Sequence, residues 1–150
     1  MKTLKTMGLA SVAGLLAVGS VAAEETKISG SMMDVANVPG QAVGAGKYVG
    51  FAVFEDGRIA FKNFVAMTDS AGEKGSYGGY STYTFQNGDA ITLKFIGGWT
   101  PESDGGDYEV LSGTGAFKGA SGTGRFEAAK NPWKDANLYK CSITLKLPSS

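Results

Sequence analysis

The chain has 150 residues, with 14 Lys plus Arg against 14 Asp plus Glu, 23 glycines, one cysteine and no histidine. That length predicts one domain, and the balanced charge argues against a nucleic-acid partner, which requires a cationic excess. Without histidine, and with Cys141 alone, a Cys/His zinc site, an intrachain disulfide and the commonest general base are excluded, and no metal or other cofactor is expected.

Residues 1–23 read as a cleaved signal peptide. Lys2 and Lys5 precede an uncharged, mostly apolar stretch, and Val21, Ala22 and Ala23 supply small residues before Glu24 and Glu25. The apolar stretch is shorter than the roughly 20 residues that cross a bilayer core, so no membrane span is expected after cleavage. The mature chain, 24–150, would have 127 residues and a net charge of −2, and it would be periplasmic or extracellular.

The remainder reads as a run of strands. Segment 27–38 comes first, followed by 48–54 (YVGFAVF) and 58–67 (RIAFKNFVAM) around Asp56-Gly57. Segments 80–86 (YSTYTFQ) and 90–96 flank Asn87-Gly88 in the same way. Asp-Gly and Asn-Gly between β-rich runs predict hairpins with type I′ turns. Segments 107–112 and 123–129 follow, and 131–137 (NPWKDAN) reads as a loop or a single helical turn. At the end, Tyr139, Cys141, Ile143, Leu145 and Leu147 alternate with polar residues, as in a strand with one wet face. About eight short strands with no helical stripe predict an all-β sandwich or barrel, and closure into a barrel removes the edges that invite aggregation.

The glycines carry a local repeat. Residues 113–120 and 122–129 both read G-T-G-x-F-x-x-A, nine residues apart. The spacing is not that of a phosphate loop, and no helix follows, so two strand segments joined by a tight turn are expected. The stretch 111–126 (LSGTGAFKGASGTGRF) resembles the G-T-G-x-F-x-G-A-x-G signature of the allene oxide cyclase-like barrels, which include the plant dirigent proteins. The resemblance spans about residues 27–147, and it matches that motif at Gly113, Gly115, Phe117, Gly119, Ala120 and Gly122. It implies a single eight-stranded antiparallel β-barrel of calycin-like type around an apolar cavity, often assembled as a homotrimer. The family includes cyclases and proteins that steer radical coupling. None of its catalytic residues is carried over onto this chain, whose catalytic residues stay unassigned.

Polar residues in phase with apolar ones are the candidates for a site inside a small barrel. Asn63 shares a phase with Ile59, Phe61, Val65 and Met67; Tyr83 shares one with Phe85; Tyr139 and Cys141 share one with Ile143. Asp34 is in phase with Ile28, Met32, Ala36 and Val38, although Met33 and Val35 leave that face ambiguous. Cys141 is expected to be a small buried hydrophobe. The acids Glu102, Asp104, Asp107 and Glu109 lack the spacing of a calcium loop and are expected in a solvated turn. Arg125 and Glu127 are expected to be exposed.

Three functions follow. The first is an exported barrel that binds an apolar small molecule and performs no reaction. The second is an isomerase or cyclase working by shape and orientation without a metal or nucleotide cofactor. The third is a structural or interaction protein of the cell envelope.

Overall fold

The computed structural model describes residues 18–148. Eight antiparallel strands close into a barrel in sequence order: β1 (Val18–Val38), β2 (Gln41–Phe54), β3 (Ile59–Ala71), β4 (Lys74–Phe85), β5 (Ala90–Trp99), β6 (Asp104–Gly113), β7 (Ser121–Ala129) and β8 (Asn137–Lys146). The seam is β1 against β8, paired from Val18 with Lys146 to Lys27 with Asn137. All eight expected strands are present, several longer than their apolar cores. Segment 131–137 is a loop up to Asn137, where β8 begins. Of the expected leader, 1–17 lie outside the described residues, and 18–23 open β1. Among the described residues no helix is long and apolar enough to cross a membrane.

The two expected hairpins form, but their turns are not type I′. Only glycines have positive φ among the described residues, so Asp56 and Asn87 do not. Phe54 exchanges backbone hydrogen bonds with Gly57 and Arg58, and Phe85 does so with Gly88 and Asp89. That is the three-residue loop in which a type I turn is followed by a left-handed residue, here Gly57 (φ 86°) and Gly88 (φ 87°).

The glycine repeat splits. Its second copy is β7, whereas its first leaves β6 and forms a one-turn 3-10 segment at Gly115–Phe117 instead of a strand. Gly115 has φ 55°, and a Cβ there would strike the Asp89 carboxylate, whose Oδ2 accepts the Ala116 N–H at 3.1 Å. The turn drives Phe117 into the lower end of the barrel against Phe85, ring centroids 4.9 Å apart. Phe54 lies beside Phe85 at 5.2 Å, and the Arg58 guanidinium covers all three rings. Both phenylalanines of the repeat, Phe117 and Phe126, are buried as expected.

Candidate functional site

Above this aromatic plug, at mid-height, four strands aim polar side chains at one point. Glu25 of β1, Lys62 of β3, Tyr83 of β4 and Tyr108 of β6 are all buried. β2 lies between Glu25 and Lys62, with Ala52 opposite Glu25 and Gly50 opposite Lys62, and these small residues let the two side chains reach each other. Lys62 Nζ donates to Glu25 Oε2 and, at 3.2 Å, to the Tyr108 hydroxyl oxygen. Tyr83 donates to Glu25 Oε1 at 2.6 Å, and Tyr108 donates to Oε2 at 2.9 Å. One carboxylate therefore takes three donors.

Burial alone would raise the pKa of Glu25. The Lys62 charge and the hydrogen bonds from Lys62, Tyr83 and Tyr108 outweigh it, and the pKa falls below the ordinary value. Burial and then the Glu25 charge hold both phenols protonated well past their ordinary pKa. The same two causes, in the same order, push up the pKa of the buried Cys141 thiol. The cluster is a neutral ion pair clasped by two neutral phenols.

Glu25, Lys62 and Tyr108 of this cluster form the floor of a cavity of about 330 Å³. Its walls are rings: Tyr48, Phe64, Tyr77, Phe95, Phe126 and Tyr139. Tyr48 stacks on Phe64 with centroids 5.0 Å apart, and Tyr77 stacks on Trp99 at 5.9 Å. At the upper end Asp104 accepts the Tyr77 hydroxyl at 2.5 Å and the Tyr139 hydroxyl at 2.8 Å. Burial first, and then Asp104, raise the pKa of both tyrosines. The volume is near the lower limit for small-molecule pockets, which span roughly 300–1,000 Å³.

Of the residues singled out in the sequence, Tyr83, Tyr139 and Cys141 point into the barrel, and Tyr83 and Tyr139 belong to the two polar clusters. Asn63 and Asp34 do not join them. On β3 the inward residues are Ala60, Lys62, Phe64, Ala66 and Thr68, so Asn63 faces outward with Phe61 and Val65. Asp34 is exposed near the end of β1, where bulges at residues 27–29 and 34–36 reset the alternation. Asp104 corrects the expectation of a solvated acidic turn, since the tyrosines draw it into the mouth of the cavity. Arg125 is exposed beside Asp107, as expected. Among the described residues no group of three or more His, Cys, Asp or Glu could hold a metal.

Sequence reasoning missed Glu25, Lys62 and Tyr108. Glu25 sits at the edge of the leader, and Lys62 interrupts an inward row of apolar residues as a surface lysine would. The alternation of Tyr108 with Val110 was an available signal.

The fold is shared with solved structures. No family model and no curated protein matches the chain. The pterocarpan synthase dirigent protein GePTS1 superposes with a TM-score of 0.59 at 16% identity, covering 95% of this chain and 98% of that one. The pterocarpan synthase dirigent protein PsPTS1 gives 0.57 at 11% identity, covering 88% and 97%. A DUF3224-family protein of unknown function from Shewanella oneidensis MR-1 gives 0.60 at 14% identity, covering 89% and 99%. The chain has a dirigent-like barrel fold.

Proposed function

We propose that this protein is an exported barrel that binds an apolar small molecule in the cavity above Glu25 and Lys62. The observation that carries the reading is the aromatic-walled space of about 330 Å³ inside a closed barrel. Calorimetric titration with 2-ethylnaphthalene tests it. Saturable binding at one site per chain, abolished by Ala66→Trp in the cavity wall, is expected; no saturable binding, or binding indifferent to that substitution, overturns it.

Export rests on the signal-like leader. Cleavage after Ala23 would leave Glu25 as the second residue of the mature chain, so all four residues of the cluster would be retained. It would remove the rungs from Val18 to Ala23, six of the ten that join β1 to β8. N-terminal sequencing of the exported protein would locate the cleavage, and a chain beginning upstream of Glu24 would refute this boundary.

A reaction-directing role is the second reading, and Lys62 and Tyr108 at the floor of the cavity favour it. Two structural neighbours are called pterocarpan synthase dirigent proteins. If this chain directs a cyclisation, its presence changes the stereochemical ratio of products from a reactive apolar substrate. An unchanged ratio rejects that role. A homotrimer is the proposed assembly, supported by the outward-facing Phe51, Phe61, Val65, Met67 and Ile96, all at least 39% exposed. Sedimentation showing only monomer would reject it.

A further inference from the structure

The floor of the cavity has a hydrogen-bonding polarity that narrows the ligand. An ammonium has three protons to donate. Among the described residues, Glu25 Oε2 and the Tyr108 oxygen take two of the Lys62 protons. Each phenol of the cluster has one proton, and Glu25 takes both. The unassigned donor at the floor is therefore the third Lys62 N–H, on a residue that lines the cavity. An acceptor on the ligand completes this set. A donor on the ligand would compete with the three donors already on Glu25 for its last lone-pair site, whereas an acceptor meets the free N–H unopposed.

Charge narrows the class again. Glu25 and Lys62 already neutralise each other inside the barrel. A carboxylate or phenolate seated at that pair would add a negative charge that neither member compensates, and the other lysine of the lining, Lys27, sits over the Tyr48 ring; burying such a charge is costly. A neutral acceptor adds a hydrogen bond without that cost. At the other end, Asp104 accepts two tyrosine hydroxyls and offers further lone pairs, so a donor on the ligand fits there and a second acceptor does not.

Resting on the small-molecule reading above, we propose that the ligand is a compact, flat apolar molecule with a neutral carbonyl oxygen that accepts a hydrogen bond from Lys62. An aryl ketone, an enone or a quinone has this chemistry. The aromatic walls receive the body, and the floor receives the oxygen.

Three probes with one body separate the claims: 2-ethylnaphthalene, 2-acetylnaphthalene and 2-naphthoate, titrated calorimetrically into the full chain. The ketone should bind at least tenfold more tightly than the hydrocarbon, and more tightly than the carboxylate. Removing the lysine alone would strand a buried carboxylate, so its loss is read in the double variant Glu25→Gln, Lys62→Met. That variant should bind ketone and hydrocarbon within about twofold of each other. In Glu25→Gln alone the unbalanced ammonium should reverse the order and favour 2-naphthoate. A wild-type protein that prefers the carboxylate, or a ketone preference that survives in the double variant, overturns the proposal. If the hydrocarbon binds and the ketone binds no better, this inference fails while the cavity reading stands. If the hydrocarbon does not bind, the cavity reading fails and takes this one with it.

Discussion

The lower and upper halves of the barrel are built from the same kinds of side chain and end differently. Below Glu25 and Lys62, Phe54, Phe85 and Phe117 stack into a plug that Arg58 covers. Above them, Tyr48, Phe64, Tyr77, Phe95 and Phe126 leave about 330 Å³ between the walls. Both halves are aromatic, but the rings of the plug are all phenylalanines, whereas three of the six wall rings above are tyrosines. At the lower end the 3-10 turn at Gly115–Phe117 folds a ring inward from a connection, so the space is filled by a residue that belongs to no strand. At the upper end a carboxylate ties Tyr77 and Tyr139 at their hydroxyls. A ring pinned at its polar tip stays with its wall, whereas a phenylalanine is free to pack toward the axis.

The largest expected effects are equal in size and different in kind. Phe117→Ala should cost about 3–5 kcal/mol through lost burial and an unfilled space. Lys62→Met should cost about 3–5 kcal/mol because Glu25 keeps its burial and loses its counter-charge. Denaturant unfolding measures both. The distinction lies in repair: adding Glu25→Gln to Lys62→Met should recover most of the loss, and no partner change of that kind rescues Phe117→Ala. Equal losses in the single and double variants would show that the upper half, too, is held by packing alone.

Alkaline pH should also act above the plug. The folded pKa values of Tyr83 and Tyr108 are raised, so their stabilisation is fully present below the unfolded value near 10 and declines as pH rises past it. The two phenols, both bonded to Glu25, should together make this alkaline decline steep. Tyr77 and Tyr139 act in the same direction and, being partly exposed, more weakly. Glu25 acts at the other extreme. Its folded pKa lies below the unfolded one, so its contribution holds above pH about 4.5 and is lost as pH falls through the folded value. Melts across pH should therefore give a plateau with a steep alkaline edge, and Tyr83→Phe should flatten that edge. An edge of the same slope in that variant would exclude Tyr83 from it.

The same substitution made at two heights measures the asymmetry of filling. Ala60→Trp, at a position with no exposure, should cost about 3 kcal/mol or more from overpacking. Ala66→Trp, in the cavity wall, should cost less than about 1 kcal/mol, because it enters open space. Comparable losses would mean that the upper half is as tightly filled as the lower.

Strand and hairpin positions were legible in the sequence, because a period of two and Asp-Gly or Asn-Gly pairs report local backbone geometry; closure was expected from the removal of exposed edges and from the family resemblance. Turn type was less so. A glycine after aspartate serves a type I′ turn and a type I turn with a bulge equally well, and the backbone pairing of Phe54 with Arg58 selects the second. The floor of the site was the least legible part. Inward Lys62 and outward Ile59, Phe61 and Val65 invert the usual pattern on β3, so apolar periodicity points to the wrong face. That inversion has two physical sources. Lys62 tolerates burial because Glu25, 37 residues away, supplies its counter-charge, and no local pattern encodes so distant a partner. The outer face is apolar enough to resemble a core, and this is the surface on which a homotrimer is proposed.

The smallest expected effect tests this inversion directly. Asn63 was the polar residue that periodicity placed in the cavity, and it lies one position from Lys62 on the opposite face of β3. Asn63→Ala should therefore change stability by no more than about 0.5 kcal/mol, as surface substitutions do. It should also leave the affinity for 2-acetylnaphthalene unchanged, whereas the Glu25→Gln, Lys62→Met variant loses its preference for that ketone. Because the two positions are adjacent in the chain, a disturbance of β3 itself would move both readouts together. A loss of affinity in Asn63→Ala at unchanged stability would return β3 to the register its outer residues suggest. It would also remove Lys62 from the floor. In the homotrimer proposed through this face, any effect of Asn63→Ala should appear in the sedimentation equilibrium and not in the binding isotherm, because Asn63 shares its face of β3 with Phe61 and Val65 and not with the cavity.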